Sequence, residues 1–86
     1  MRRVWVTSTA YEAAVNQLVA VRKRLGLSQR DLAERINKPR SFISKIESRE
    51  RRVDIVEFVV LARAMGLEPS ALIVEVAQAL PADIQI

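Results

Sequence analysis

A chain of 86 residues, half of them hydrophobic, can enclose one apolar core and is too short for two. With no Cys and no His, it carries neither a disulfide framework nor a thiolate zinc site, and it lacks the commonest metal ligand and general base. The net charge of +4 is unevenly spread: residues 22–52 hold eleven Lys/Arg against four Asp/Glu, whereas residues 53–86 hold one Arg against five acids. A basic middle of this kind faces a polyanion or, on the plainer reading, simply solvent.

Gly and Pro are scarce, which favours helices over turn-rich β structure. Residues 1–8 form a tail or a short strand, because Val4, Trp5 and Val6 are β-favourable. The two Arg near the start precede no apolar h-region, so no secretory signal is expected. A first helix is predicted from Thr9, with Thr9 and Glu12 at capping-box spacing and an inward row of Val15, Leu18, Val19, Arg22 and Leu25. Gly26 stands where a helix end wants a left-handed residue.

Ser28 is a good N-cap for a second helix, Gln29 to Ile36, in which Asp31 favours the helix dipole and Leu32, Ala33 and Ile36 form the apolar stripe. Asn37 tolerates positive φ in the turn. Pro39 suits the first turn of a third helix that buries Phe42 or Ile43, together with Ile46. After a loop containing Arg49, Arg51 and Arg52, Asp54 and Glu57 repeat the capping-box spacing and open a fourth helix. Its inward residues are predicted to be Ile55, Phe58, Val59, Ala62 and Met65, with Gly66 ending it. Glu68-Pro69 starts a fifth helix that runs to about Leu80, stopped by Pro81. Residues 81–86 are a second tail, in which Ile84 and Ile86 could pair as a strand with the first.

Two short helices joined by a tight turn, the second one basic, match the geometry of helix-turn-helix readers of DNA. Small Ala33 permits a close crossing, and Ile43 and Ile46 lie three apart to pin the second helix to a core. The opposite face then carries Arg40, Ser41, Ser44, Lys45 and Ser48, all able to hydrogen-bond and none of them acidic. Such a face can approach phosphates and base edges without repulsion. Lys38, Arg49, Arg51 and Arg52 flank it as candidate phosphate contacts, although a solvated loop is the alternative for the last two.

The run from Leu25 through Ser28-Gln29-Arg30-Asp31-Leu32-Ala33 to Ile36, followed by Pro39-Arg40-Ser41-Phe42-Ile43-Ser44-Lys45-Ile46-Glu47, resembles the phage-repressor-like (Cro/XRE) helix-turn-helix family over about Leu18 to Leu72. The resemblance implies an all-α, five-helix, lambda-repressor-like DNA-binding domain over residues 9–80, with its helix-turn-helix at about 29–48. It implies that Gln29 holds the phosphate backbone and that Arg40, Ser41 and Lys45 read bases, with Ser44 a further candidate. It also implies that Arg22 and Glu47 form a buried ion pair. The sequence departs from the family at two turn positions, where Asn37 and Arg49 stand in place of the usual Gly.

The fifth helix is apolar on almost every side: with Leu72, Ile73 and Val76 turned inward, Val74, Ala77 and Leu80 would remain uncovered in a monomer and are expected to form a homodimer interface. The expected function is that of a cytoplasmic, sequence-specific binder of double-stranded DNA, a dimeric repressor on a palindromic operator. An antitoxin whose tails clasp a toxin protein, and a protein-binding adaptor module, are the competing readings. No enzyme activity, cofactor, metal, membrane association or small-molecule substrate is expected, because no phosphate-cradling Gly loop or catalytic carboxylate arrangement is evident.

Overall fold

Each helix begins where the local sequence can close its first turn. The computed structural model describes residues 8–84. Helix α1 (Thr9–Arg24) is capped by Ser8, whose hydroxyl accepts the Tyr11 backbone N–H at 3.1 Å. The cap is thus one residue earlier than the Thr9–Glu12 spacing predicted, because extended Ser8 already reaches the orphan donor. Helix α2 (Gln29–Arg35) opens with a reciprocal box: Ser28 accepts the Asp31 N–H and Asp31 accepts the Ser28 N–H, each at 2.9 Å. The Ser28 backbone N–H, donating to the Asp31 carboxyl, holds it below its ordinary pKa.

Helix α3 (Arg40–Glu47) takes Pro39 as its N-cap rather than as a first-turn residue, and no side chain closes that end. Helix α4 (Ile55–Ala64) carries the second box, Asp54 with Glu57 at 2.7 and 3.0 Å. Helix α5 (Pro69–Ala79) has Pro69 in its first turn, where a missing N–H costs nothing.

The first four helices end in one way. A left-handed residue follows the C-cap at Gly26 (φ +74°), Asn37 (+57°), Arg49 (+66°) and Gly66 (+78°). The next N–H returns to a carbonyl five residues back: Leu27 to Arg22, Lys38 to Ala33, Glu50 to Lys45 and Leu67 to Ala62, at 2.9–3.1 Å. Two of these four sites are glycine; the others are filled by Asn37 and Arg49, so the loop after α3 leaves by the same left-handed turn as the other three despite its side chain.

The core gathers Leu18 and Val21 of α1, Leu32 and Ala33 of α2, Ile43 and Ile46 of α3, Leu61 and Ala62 of α4, Met65, and Leu72 and Val76 of α5. Helix α2 packs on α3 and α4, α1 on α3 and α5, and α4 on α5. Of the predicted inward residues, Leu25, Ile55 and Ile73 turn out to be exposed, Ile55 by 83%. Val21 and Leu61 are buried in their stead. Helices α4 and α5 are apolar on several sides, so their sequences do not mark which side meets the core. The expected strand at Arg2–Val6 lies outside the described residues, as do Gln85 and Ile86; no strand occurs among the described residues.

Candidate nucleic-acid interface

Helices α2 and α3 and the turn at 36–39 form a helix-turn-helix held from beneath by Leu32, Ala33, Ile43 and Ile46. With its buried side fixed, α3 turns Arg40, Ser41 and Lys45 to solvent and leaves Ser44 half-buried. The Ser44 hydroxyl donates to the Ser41 carbonyl at 3.2 Å. The Ser48 hydroxyl donates to the Glu50 carboxylate at 2.8 Å, which brings an acid to the end of this face. Phe42 is half-buried, so Ile43 and not Phe42 is the deep anchor.

Arg22 and Glu47 meet as the family resemblance implies. The Arg22 Nε and Nη2 donate to the two Glu47 oxygens at 2.7 and 2.9 Å, and Nη1 donates to the Leu27 carbonyl at 2.7 Å. Both side chains are almost wholly enclosed, at 8% and 12% exposure. Glu47 accepts a third bond, from Gln29 Nε2 at 2.8 Å, and Gln29 Oε1 accepts from Arg40 Nη1 at 2.8 Å. A guanidinium only donates and a carboxylate only accepts, so this chain fixes the orientation of the Gln29 amide. It runs from the buried pair at the base of α1 to the first residue of α3. Nothing local in the sequence announced it: Gln29 and Glu47 are 18 residues apart and meet only after α2 and α3 dock.

The flanking cations are differently engaged. The Lys38 ammonium lies 5.5 Å from the centroid of the Phe42 ring and the Arg51 guanidinium 4.7 Å from it. Arg51 also clasps Glu57 with two bonds, of 3.1 and 2.9 Å. That contact pushes the Glu57 carboxyl below its ordinary pKa and raises that of Arg51. Arg49 approaches Glu12 at 3.6 Å, and Arg52 stacks 4.7 Å from the centroid of Tyr11. The Tyr11 hydroxyl accepts the Val53 N–H at 3.2 Å, which ties the loop to α1. Away from this face, Arg24 and Glu75 join α1 to α5 by an exposed bidentate pair. On α5, Val74 and Ala77 are exposed, and Leu80, the extended C-cap that follows the helix, is half-buried. Among the described residues no helix is long and apolar enough to cross a membrane.

The Helix-turn-helix family model matches residues 18–72. Among solved structures, the chain is similar to an XRE-family like protein from Pseudomonas syringae pv. tomato. The identity is 38% and the TM-score 0.75, over 84% of this chain and 88% of that one. It is also similar in fold to the clp gene regulator ClgR from C. glutamicum, with 22% identity and a TM-score of 0.74 over 86% of this chain and 96% of that one. No match is found among curated proteins.

Proposed function

The chain belongs to the XRE family of helix-turn-helix proteins, and from that premise we propose that it is a DNA-binding transcriptional regulator that represses by occupying a palindromic operator as a homodimer. The observation that carries the reading is the outward face of α3, where Arg40, Ser41 and Lys45 are exposed beside half-buried Ser44. Buried Ile43 and Ile46 turn that face outward, and the bond from Arg40 to Gln29 steadies the Arg40 side chain itself.

In this reading α3 enters the major groove. Arg40 and Lys45 bond to base edges, a guanine being the partner best matched to either, and the short hydroxyls of Ser41 and Ser44 adapt to what remains. Gln29 keeps its amide at the start of α2, where it meets a phosphate while still supporting Arg40. Lys38, Arg49 and Arg52 add salt-dependent affinity by displacing counterions. Val74 and Ala77, with Leu80 at their edge, join two copies so that their α3 helices lie about 34 Å apart, one turn of DNA.

The test is selection from random-sequence duplexes by the wild-type protein and by the Arg40→Ala/Lys45→Ala variant. Enrichment of a palindrome by the wild type alone, with weak salt-sensitive binding left in the variant, is the expected result. Equal enrichment by both proteins would remove α3 from the reading role.

A further inference from the structure

We infer that the Lys38–Phe42–Arg51–Glu57 cluster is a clamp that sets the rotation of α3, and that Arg51 is a positioning residue for base reading rather than a phosphate contact. The inference rests on the DNA-reading role proposed above.

Helix α3 has only eight residues, and Pro39 gives it no side-chain cap. Ile43 and Ile46 anchor it on one line, and Glu47 ties its far end to Arg22. A short rod held along one line can still roll about it, and rolling displaces the outward side chains most. Phe42 lies off that line, half-buried, beside the outward residue Ser41.

The Phe42 ring is bracketed by cations from both ends of the helix: Lys38 from the turn before it, at 5.5 Å, and Arg51 from the loop after it, at 4.7 Å. Arg51 is fixed in turn by its two bonds to Glu57 at 3.1 and 2.9 Å. Glu57 is itself immobilised, because Oε1 also accepts the Asp54 N–H at 3.0 Å in the first turn of α4. The roll of α3 is thereby referred to the frame of α4. Three features make this a built contact: a planar guanidinium stacked on a ring, two parallel bonds to one carboxylate, and a carboxylate held by a backbone amide. An arginine so engaged has two of its five donors committed to Glu57 and its plane held against the ring, so it is not free to follow a phosphate.

The two roles for Arg51 separate in the dependence of binding on salt. A phosphate contact contributes about 0.9 to the slope of log K against log salt, and its loss weakens binding to all sequences alike. A positioning residue leaves the slope unchanged and lowers the ratio of specific to non-specific affinity. Glu57 sharpens the distinction. Glu57→Gln removes a negative charge, so charge alone would tighten DNA binding, whereas loss of the clamp weakens binding to the selected site.

The experiment measures affinity for the selected duplex and for a scrambled one between low and moderate salt, for the wild type, Arg51→Gln, Arg51→Lys and Glu57→Gln. All variants are first checked for native helicity. The expected result is a loss of about tenfold in the specific-to-scrambled ratio for all three variants, comparable to one mispositioned base contact, with slopes equal to that of the wild type. Arg51→Lys should not rescue, because a point charge cannot make the paired bonds. A slope lower by about one unit in Arg51→Gln, restored in Arg51→Lys, would overturn the proposal and make Arg51 a phosphate contact. So would tighter binding of both duplexes by Glu57→Gln. If the wild type prefers no sequence, base reading itself falls, and with it the role assigned to the clamp.

Discussion

Arg49 occupies the left-handed position that ends α3, at φ +66°, where a side chain with a Cβ is strained by roughly 1–2 kcal/mol. Its ion pair with Glu12, at 3.6 Å and partly exposed, offsets little of that. Replacing Arg49 by Gly removes the strain and adds unfolded-chain entropy, and the two nearly cancel. Arg49→Gly should therefore shift stability by less than about 1 kcal/mol, and Arg49→Val should cost about 1 kcal/mol or more, because a β-branched residue resists positive φ. Urea midpoints of the two variants check this; a Val variant as stable as the Gly variant would show that the loop can take another path. Glu47 is the opposite case, a residue whose worth lies in its partners. Glu47→Ala strands the enclosed Arg22 guanidinium and releases Gln29. Breaking a buried pair on one side costs about 3–5 kcal/mol, a large share of the stability of a domain this size. The variant should lose well over ten degrees in thermal midpoint. A midpoint close to that of the wild type would mean that water solvates Arg22 after all.

At the scale of the helices, the boundaries were legible and the orientations only partly so. Ser28, Asp54, Gly26, Gly66 and Asn37 act on backbone groups within a few residues of themselves, so their roles can be read locally. Which side of α4 faces inward is decided by α2 and α5, and a helix with apolar residues on most of its sides does not encode that choice in a stripe. For this reason neither the exposure of Ile55 nor the burial of Leu61 follows from the sequence pattern. The outward polar face of α3 is legible because Phe42, Ile43 and Ile46 are the only apolar residues of the helix and the hydrogen-bonding residues fill the rest. The bonds from Gln29 to Glu47 and from Arg51 to Glu57 are not, since each requires elements to have met in space.

The start of α4 also carries a pH signature. The Arg51 contact lowers the folded-state pKa of Glu57, so the charged carboxylate favours the folded state. That contribution is complete above the ordinary glutamate value of about 4.3 and is lost as pH falls through the lower folded value. The stability difference between the wild type and Glu57→Gln should accordingly shrink between pH 6 and pH 3. A difference that stays constant across that range would mean that the pair adds no charge-dependent stability.

For the molecule as a whole, the question is what covers the apolar surface left outside the core. On α5, Ile73 is 49% and Val74 52% exposed, and Ala77 lies one turn further along. On α4, Ile55, Val56 and Val60 are exposed as well. Contiguous apolar exposure on a small domain is costly in water, and association with a second copy is the simplest way to remove it. A twofold axis through α5 would pair the same stripe from each copy, so a charge at its centre is opposed by its own image and carries a double penalty. Val74→Glu should then leave the fold intact, since Val74 is outside the core, while sedimentation shows monomer at concentrations where the wild type is dimeric. The DNA consequence is separable from the folding one. A monomer retains the Arg40, Ser41 and Lys45 face and still reads one half-site, but it loses the gain from tethering a second reader on the same duplex. Affinity for the full palindrome should fall by tenfold or more, toward that of a single half-site, and the dependence on the spacing between half-sites should vanish. If Val74→Glu sediments as the wild type does and keeps its spacing preference, the pairing surface lies elsewhere, and the exposed residues of α4 are the next place to put the charge.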